Sequence, residues 1–497
     1  MPYVLGIDIG TSAVKAILVN EQGHVCQESS VSYPLSQPQF GYSEQDPEAW
    51  VQGTIKAVQN LLHDTKISPA DIQGLSLSGQ MHSLVLLDQN HRVLRPAILW
   101  NDTRTTAECQ LIEQTLGKKL LAITQNRALE GFTLPKLLWV KNHEPHIWEQ
   151  ATSFLLPKDY VRFRLTGQLA MDLSDAAGTL LLDLEKREWS PEICSALDIP
   201  LSLCPRLVTS QTHAGNLRED IAQQMGLTSA TRVFAGGADN ACGAVGAGIL
   251  SHGRTMCSIG TSGVILSYLT QLPDVKGKLH LMNHAQEGSY YAMGVTLAAG
   301  YSLQWFKEQF AQEYSFDDIM QWIDQVPAGA DGLLFTPYLV GERTPHADAD
   351  IRGSFIGIHA AHTRAHFARS VVEGITFSLK ESLTILQQAG QKSEHIVSIG
   401  GGAKSETWLQ LQADIFGIEV VKLDHEQGPA LGAAMLAAVG CGWFDTLDDC
   451  ASNWLKPSQS FSPDKEKAKR YEELFAIYQE VYANTREINQ QLRVFRG

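Results

Sequence analysis

Basic residues are in short supply. The 497-residue chain carries 39 Lys and Arg against 54 Asp and Glu, a net charge of −15. It therefore lacks the basic face that a general nucleic-acid binder, or a protein of anionic membrane surfaces, requires. No stretch approaches the roughly 18 consecutive apolar residues of a membrane-spanning helix. Met1 to Gly10 shows no basic segment followed by a long apolar run, so no signal peptide is expected. The eight cysteines (Cys26, Cys109, Cys194, Cys204, Cys242, Cys257, Cys441 and Cys450) include no Cys-x-x-Cys pair, which argues against a zinc ribbon or a thioredoxin-type centre. Dispersed thiols in a large chain predict a reduced, cytoplasmic protein whose cysteines act as small hydrophobes. His-Glu-x-x-His, the Walker P-loop and the Gly-x-Gly-x-x-Gly fingerprint are also missing, which weakens the metalloprotease, P-loop and dinucleotide readings. Without them, an acidic protein binds phosphate through a local cradle of backbone N–H groups or through a metal.

What is present is apolar and glycine-punctuated. Hydrophobic residues make up 44% and charged residues 19%, enough to bury sizeable cores, and the length suits two or three domains. The most informative feature is an internal echo. Residues 9–12 read Ile-Gly-Thr-Ser, and so do residues 259–262. Each copy lies between two apolar runs, which predicts two β-hairpins with a Gly-Thr-Ser turn at the tip. Half the chain separates them, so two related lobes are expected, with a boundary near 245–255. Further short strands, at Ile72–Leu77, Val233–Ala235 and Ile396–Ile399, run into glycine turns. Helical periodicity marks 105–115, 301–313, 364–389, 405–416, 429–439 and 465–493. This is an α/β pattern with ligands at the strand ends. No low-complexity linker separates the lobes, so close packing and a hinge are expected.

Five motifs carry polar chemistry. Gly6-Ile7-Asp8-Ile9-Gly10-Thr11-Ser12 places a carboxylate within an apolar strand, a costly position unless it meets a cation or another partner. Ile259-Gly260-Thr261-Ser262-Gly263 is the same turn without the acid. One cradle with an acid and one without suits a metal–triphosphate held between two lobes. Gly236-Gly237-Ala238-Asp239-Asn240 sets Asp239 on a turn before a helix, where it either reaches into a cleft as a general base or caps the helix. Spacing alone leaves both open. Gly400-Gly401-Gly402-Ala403-Lys404-Ser405 permits close approach of a flat ring or a phosphate at a helix N-terminus. Ser78-Gly79-Gln80-Met81-His82 is a polar turn at a strand end, where His82 either bonds a small polar substrate or is structural. Trp100-Asn101-Asp102-x-Arg104 and Gly341-Glu342-Arg343-Thr344-Pro345-His346 are further polar clusters, read either as cleft walls or as loops with local ion pairs.

Taken together, residues 3 to about 440 resemble the FGGY carbohydrate kinases. Gly131-x-Thr133-x-x-Lys136-Leu137-x-Trp139-Val140-x-Asn142-His143 matches one family signature. Gly353-x-Phe355-x-Gly357-Ile358, continuing through His366-Phe367 to Ser370-Val371-Val372-Glu373, matches the second. The resemblance implies an α/β, two-lobed actin-like ATPase (ribonuclease H-like) fold with a ligand cleft between the lobes. Residues 1–248 would form the N-terminal, sugar-binding lobe and 249–497 the C-terminal, nucleotide-binding lobe. It implies ATP and Mg²⁺ as cofactors, a small sugar as partner, no nucleic acid and no membrane; family members are often dimers, so a homodimer is compatible with it. The stretches 78–82, 95–102, 156–160, 174–179 and 341–346 are similar to the branch that phosphorylates D-xylulose, and Met81-His82 replaces the Arg-Glu pair typical of glycerol kinases.

Residue roles follow from the resemblance. Asp239 would be the catalytic base, an ordinary and therefore weak one, and Asp8 the metal-associated acid. Met81, His82, Asp239 and Asn240 would bind the sugar. Gly10, Thr11, Gly260 and Thr261 would form the phosphate loops, and Gly300, Gln304, Gly402, Ala403 and Ser405 would touch the nucleotide. Glu406 stands where some relatives carry an Asn against adenine. Competing readings are a kinase of the same family acting on ribulose, a deoxy-ketose, gluconate or a polyol, and an actin-like, non-metabolic ATPase.

Overall fold

The computed structural model describes residues 1–63 and 65–496. Its framework is two seven-stranded sheets. In the first, Tyr3–Ile9 lies antiparallel to its hairpin partner Ala13–Asn20 and parallel to Ile72–Gly79; Val25–Ser32 extends one side and Arg232–Phe234 the other. In the second, Arg254–Ile259 lies antiparallel to Gly263–Leu269 and parallel to His395–Gly400, with Tyr290–Thr296 and Glu419–Leu423 on the two sides. Both sheets thus share one five-strand order and one set of strand directions. The expected duplication is present at the level of topology, as the actin-like ATPase fold requires.

The echo conceals a difference in register. At the first tip Ile9 pairs with Val14, leaving four residues in the loop, and the Gly10 N–H donates to the Ala13 carbonyl at 3.0 Å. At the second tip Ile259 pairs with Gly263, leaving three, and the Gly260 N–H donates to the Ser262 carbonyl at 2.9 Å.

The helices expected from periodicity are observed at Thr106–Leu116, Gly300–Phe310, Arg364–Gln388, Glu406–Phe416, Pro429–Gly440 and Lys465–Leu492. Pro429–Gly440 is Ala- and Leu-rich and opens on a proline, which suits the first helical turn. It is apolar all round because it is enclosed on every side. One face lies on the Tyr3–Ile9 strand, where a Cβ on Gly6 would come within 2.0 Å of the Ala430 carbonyl oxygen. The other crosses the Asp239–Gly246 helix, where a Cβ on Gly432 would come within 1.8 Å of the Cys242 carbonyl oxygen. The two helices therefore touch backbone to backbone. The last helix packs Tyr471, Phe475 and Tyr478 against Phe377 of the 364–388 helix.

All eight cysteines are free. Cys26 is exposed, unlike the small buried hydrophobe expected, because its strand lies at the sheet edge. No described helix is long and apolar enough to cross a membrane.

Candidate active site

The first hairpin supplies an acid to the space between the sheets. Asp8 sits beside Ser78 across the parallel strand pair and opposite Lys15 in the hairpin. Its Oδ1 is buried without a hydrogen-bond partner, and so is the Ser78 hydroxyl. Burial raises the Asp8 pKa; Ser78 and Lys15, both near, oppose that rise without cancelling it. A buried carboxylate oxygen and a hydroxyl left unpaired are donors of the hard-oxygen type that Mg²⁺ or its water shell takes. The tip itself is closed. Trp100 Nε1 donates to the Thr11 hydroxyl at 2.9 Å, Gln45 Nε2 to the Thr11 carbonyl at 2.7 Å, and the Tyr33 hydroxyl to the Gly10 carbonyl.

Asp239 occupies the first position of the helix Asp239–Gly246, and Ala238 is the N-cap. Its Oδ1 accepts from the Asn240 N–H at 2.7 Å and from Asn240 Nδ2 at 3.0 Å. One oxygen thus satisfies a free N–H of the helix start, and the side chain also lines a cavity. The carboxylate thus both bonds the helix start and borders the cavity. Burial, reinforced by the charge of Asp8, pushes its pKa up to about 7, against the lowering effect of the Asn240 bonds. Asp239 is therefore a stronger base than the ordinary aspartate expected from the sequence, poised near neutrality where general bases work best.

A buried polar network fixes the strand that carries this residue. The Ser174 hydroxyl donates to Asp172 at 2.5 Å and accepts from the Ala238 N–H at 2.9 Å, one residue before Asp239. Behind it the Lys158 ammonium lies 2.6, 2.8 and 3.3 Å from Asp172, Asp159 and Asp175. Those three carboxylates converge closely enough to hold a metal, but the ammonium already occupies their focus, and the Arg162 guanidinium bonds Asp159 at 2.7 Å. Burial would discharge Lys158; the three aspartates keep it charged. Burial, with Lys158 opposing and Asp159 and Asp172 adding to it, pushes Asp175 well up.

The cavity in front of Asp239 has a volume of about 240 Å³. Met81, His82, Asn240, Trp100 and Phe132 line it from the first half of the chain, and Ser262, His280, Met293 and Arg343 from the second. The site residues Met81, His82, Asp239 and Asn240 are brought together as expected. The Asn240 amide lies 3.7 Å from the Met81 sulfur. His82 is held at φ 68°, a conformation non-glycine residues seldom adopt. Its Nδ1 lies 2.7 Å from the Gly178 carbonyl, and its own carbonyl accepts from the Thr133 hydroxyl at 2.9 Å. Burial drives the imidazole down to about 3, so it is neutral. A carbonyl accepts only, so Nδ1 carries the proton and Nε2 is an acceptor. The Thr133 and Lys136 of the first signature thus act by shaping this wall. The buried Lys136 ammonium donates to the carbonyls of Glu130, Gly131 and Phe132 at 2.9, 2.5 and 2.8 Å, and the Phe132 ring packs on His82 tilted by 60°, with ring centroids 4.7 Å apart.

A second cavity, of about 630 Å³, opens at the tip of the second hairpin. Gly260, Thr261, Gly300, Gln304, Gly402 and Ser405 line it, together with Tyr301, Phe316, Trp408 and Lys404. The backbone closes tightly at its floor: the Gly300 N–H donates to the Gly260 carbonyl at 2.9 Å, and a Cβ on Gly300 would come within 2.3 Å of that oxygen. Ser405 caps the following helix by accepting from the Trp408 N–H at 3.4 Å. Ala403 is buried behind Gly402 rather than in the wall. Glu406 faces away, accepting from Gln459 Nε2 at 2.7 Å. Gly10 and Thr11 line neither cavity. Sequence reasoning did not assign site roles to His280, Phe132, Tyr301, Phe316, Arg343 or Lys404. Arg343 and Lys404 had a signal, lying in quoted motifs, and Phe132 fills an unspecified position of the first signature; Tyr301, Phe316 and His280 had none, because they come from segments that only the fold brings together.

The model of the FGGY family of carbohydrate kinases matches the chain in both its parts, the N-terminal domain over residues 3–246 and the C-terminal domain over 255–441. The chain belongs to that family: the fold is the two-lobed one of its sugar kinases, with Asp239 on a small cavity and a larger, glycine-lined cavity at the second hairpin. The xylulose kinase of Bacillus subtilis is 56% identical over 497 residues, covering 100% of both chains. Among solved structures, the ligand-bound xylulose kinase of Lactobacillus acidophilus superposes with a TM-score of 0.93 at 28% identity, covering 98% of each chain. The gluconate kinase of the same organism superposes with a TM-score of 0.92 at 28% identity, over 97% of this chain and 98% of its own.

Proposed function

We propose that the protein transfers the γ-phosphoryl group of ATP to the C5 hydroxyl of D-xylulose, giving D-xylulose 5-phosphate and ADP. The observation that carries this reading is Asp239: a carboxylate raised to about 7, at the edge of a cavity of about 240 Å³ that has room for a five-carbon sugar. Full-length likeness to xylulose kinases supports the choice of ketose.

In this reading the nucleotide lies in the larger cavity, its base among Tyr301, Phe316 and Trp408 and its phosphates toward Gly260 and Thr261. Met81, His82 and Asn240 hold the sugar so that its terminal hydroxyl reaches Asp239. Asp239 Oδ2, free of the Asn240 bonds, orients that hydroxyl and takes its proton as oxygen bonds to phosphorus. Phosphoryl transfer depends mainly on alignment and charge stabilisation, and a base near neutrality needs only modest help. Asp8 and Ser78 would hold Mg²⁺ through their unpaired oxygens, and the ion would neutralise charge on the phosphates. Free thiols and an acidic surface suit the cytoplasm, and the two-lobed architecture suits closure on the sugar.

A coupled ADP-release assay over D-xylulose, D-ribulose, a deoxy-ketose, D-gluconate and xylitol tests the proposal. D-Xylulose is expected to give the highest kcat/KM. A preference for gluconate would move the protein to another branch of the family, and ATP turnover independent of any sugar would overturn the kinase reading.

A further inference from the structure

The Arg343 guanidinium lines the smaller cavity, yet among the described residues its side chain has no hydrogen bond or ion pair. Its main chain is firmly mounted: the N–H donates to Glu342 Oε1 at 2.7 Å, and the carbonyl accepts from the Ala347 N–H at 2.6 Å. Glu342, which might have neutralised it, is turned inward to the Thr296 hydroxyl at 2.6 Å and the Leu297 N–H at 3.0 Å. Burial works against the charge of Arg343, and Glu342 and Glu130 favour it without bonding it, so a ligand that bonds the guanidinium directly would offset that cost. Arg343, His82 and His280 line the same cavity, and the Arg343 charge adds to burial in keeping both imidazoles neutral. The cavity thus presents a mixed polarity: a carboxylate, a donor-only guanidinium and an acceptor-only imidazole.

A 2-ketopentose matches that polarity. Its ring form consumes the C5 hydroxyl, so a sugar that reacts at C5 must be open-chain and must present a free C2 carbonyl, an acceptor without a proton. A guanidinium donates to a ketone without condensing with it, unlike the amine of a lysine. We propose that Arg343 reads the carbonyl end of the sugar, donating to the C2 oxygen while His82 Nε2 accepts from a neighbouring hydroxyl, so that the cavity selects open-chain ketoses over the corresponding polyols. This rests on the function proposed above and adds the residue that sets its specificity.

Calorimetric titration of D-xylulose and of xylitol into the wild type, Arg343→Gln and Arg343→Lys tests it, with ADP affinity at the larger cavity as the control for folding. Loss of a hydrogen bond from a charged donor predicts about 10–100-fold weaker D-xylulose binding in Arg343→Gln. Xylitol, whose C2 hydroxyl carries a proton that a donor-only guanidinium cannot accept, gains less from Arg343 and should lose no more than about threefold. Arg343→Lys should fall between, on D-xylulose alone. Equal losses for the two ligands, or none, would overturn the assignment. A wild type that binds D-xylulose selectively but does not phosphorylate it would instead sink the function proposed above and leave Arg343 in place.

Discussion

The two Gly-Thr-Ser hairpins are the same in sequence and opposite in use. Where the first has Asp8 before Ile9, the second has Ser258 before Ile259. The first tip is closed by Trp100, Gln45 and Tyr33 and lines neither cavity. The second exposes Gly260, Thr261 and Ser262, and its glycine and threonine line the larger cavity. A four-residue loop against a three-residue loop accompanies the difference. The first turn is a braced mount for a carboxylate, and the second forms the open rim of a cavity. Duplication supplies symmetry of the framework, and the chemistry lies where that symmetry is broken.

The most severe way to break the pairing is to remove the charge that the first hairpin acts upon. Asp239→Asn should lower kcat by about 10²–10⁴-fold, the range for a general base, while D-xylulose still binds by calorimetry. In the wild type, kcat/KM should rise with pH through about 7, where the Asp239 carboxyl loses its proton. The same residue costs stability. The folded state holds its proton to higher pH than the unfolded chain, so its contribution worsens from about pH 4 to about pH 7 and is fully unfavourable above. Asp239→Asn should therefore melt higher than wild type at pH 8, with the gap closing toward pH 4. Equal melting points at both pH values would show that the carboxylate is not held against burial.

Next in size is making the first hairpin resemble the second. Asp8→Ser should cut kcat by about 10²–10³-fold, as for loss of a preorganised electrostatic group, with sugar affinity kept; a steady-state assay over a range of Mg²⁺ separates the two effects. The reverse exchange, Ser258→Asp, places a like charge beneath a triphosphate and should raise the KM for ATP about tenfold, the equivalent of about 1.4 kcal/mol. An unchanged KM would show that the second hairpin does not face phosphate. Smallest is Trp100→Phe, which removes the donor to Thr11 and should cost about 1 kcal/mol of stability, read by urea denaturation.

Much of this framework was legible beforehand because it is periodic. The 364–388, 406–416 and 465–492 helices announce themselves by apolar spacing, and the strands by short β-branched runs ending in glycine. The residues that meet in front of Asp239 were legible only where a local motif carried them. Met81 and His82 sit at a strand end that is visible in one dimension. His280 and Phe132 do not, since a lone imidazole on a strand and an aromatic in a loop look like packing until the sheets are assembled. Nor could spacing show that burial and Asp8 would turn a weak aspartate into a base near neutrality, because that shift depends on dielectric and on a charge more than 200 residues away. The register difference between the tips was hidden for the reverse reason: identical letters suggested identical loops.

The glycine contact between the Asp239–Gly246 and Pro429–Gly440 helices has a mechanical corollary. With Gly432 pressed on the Cys242 carbonyl, neither helix can slide along the other, since any side chain brought into the crossing would collide with backbone. A side chain larger than hydrogen at position 432 would push the two helices apart. Asp239 lies three residues from that contact, so the spacing of the crossing bears directly on where its carboxylate stands.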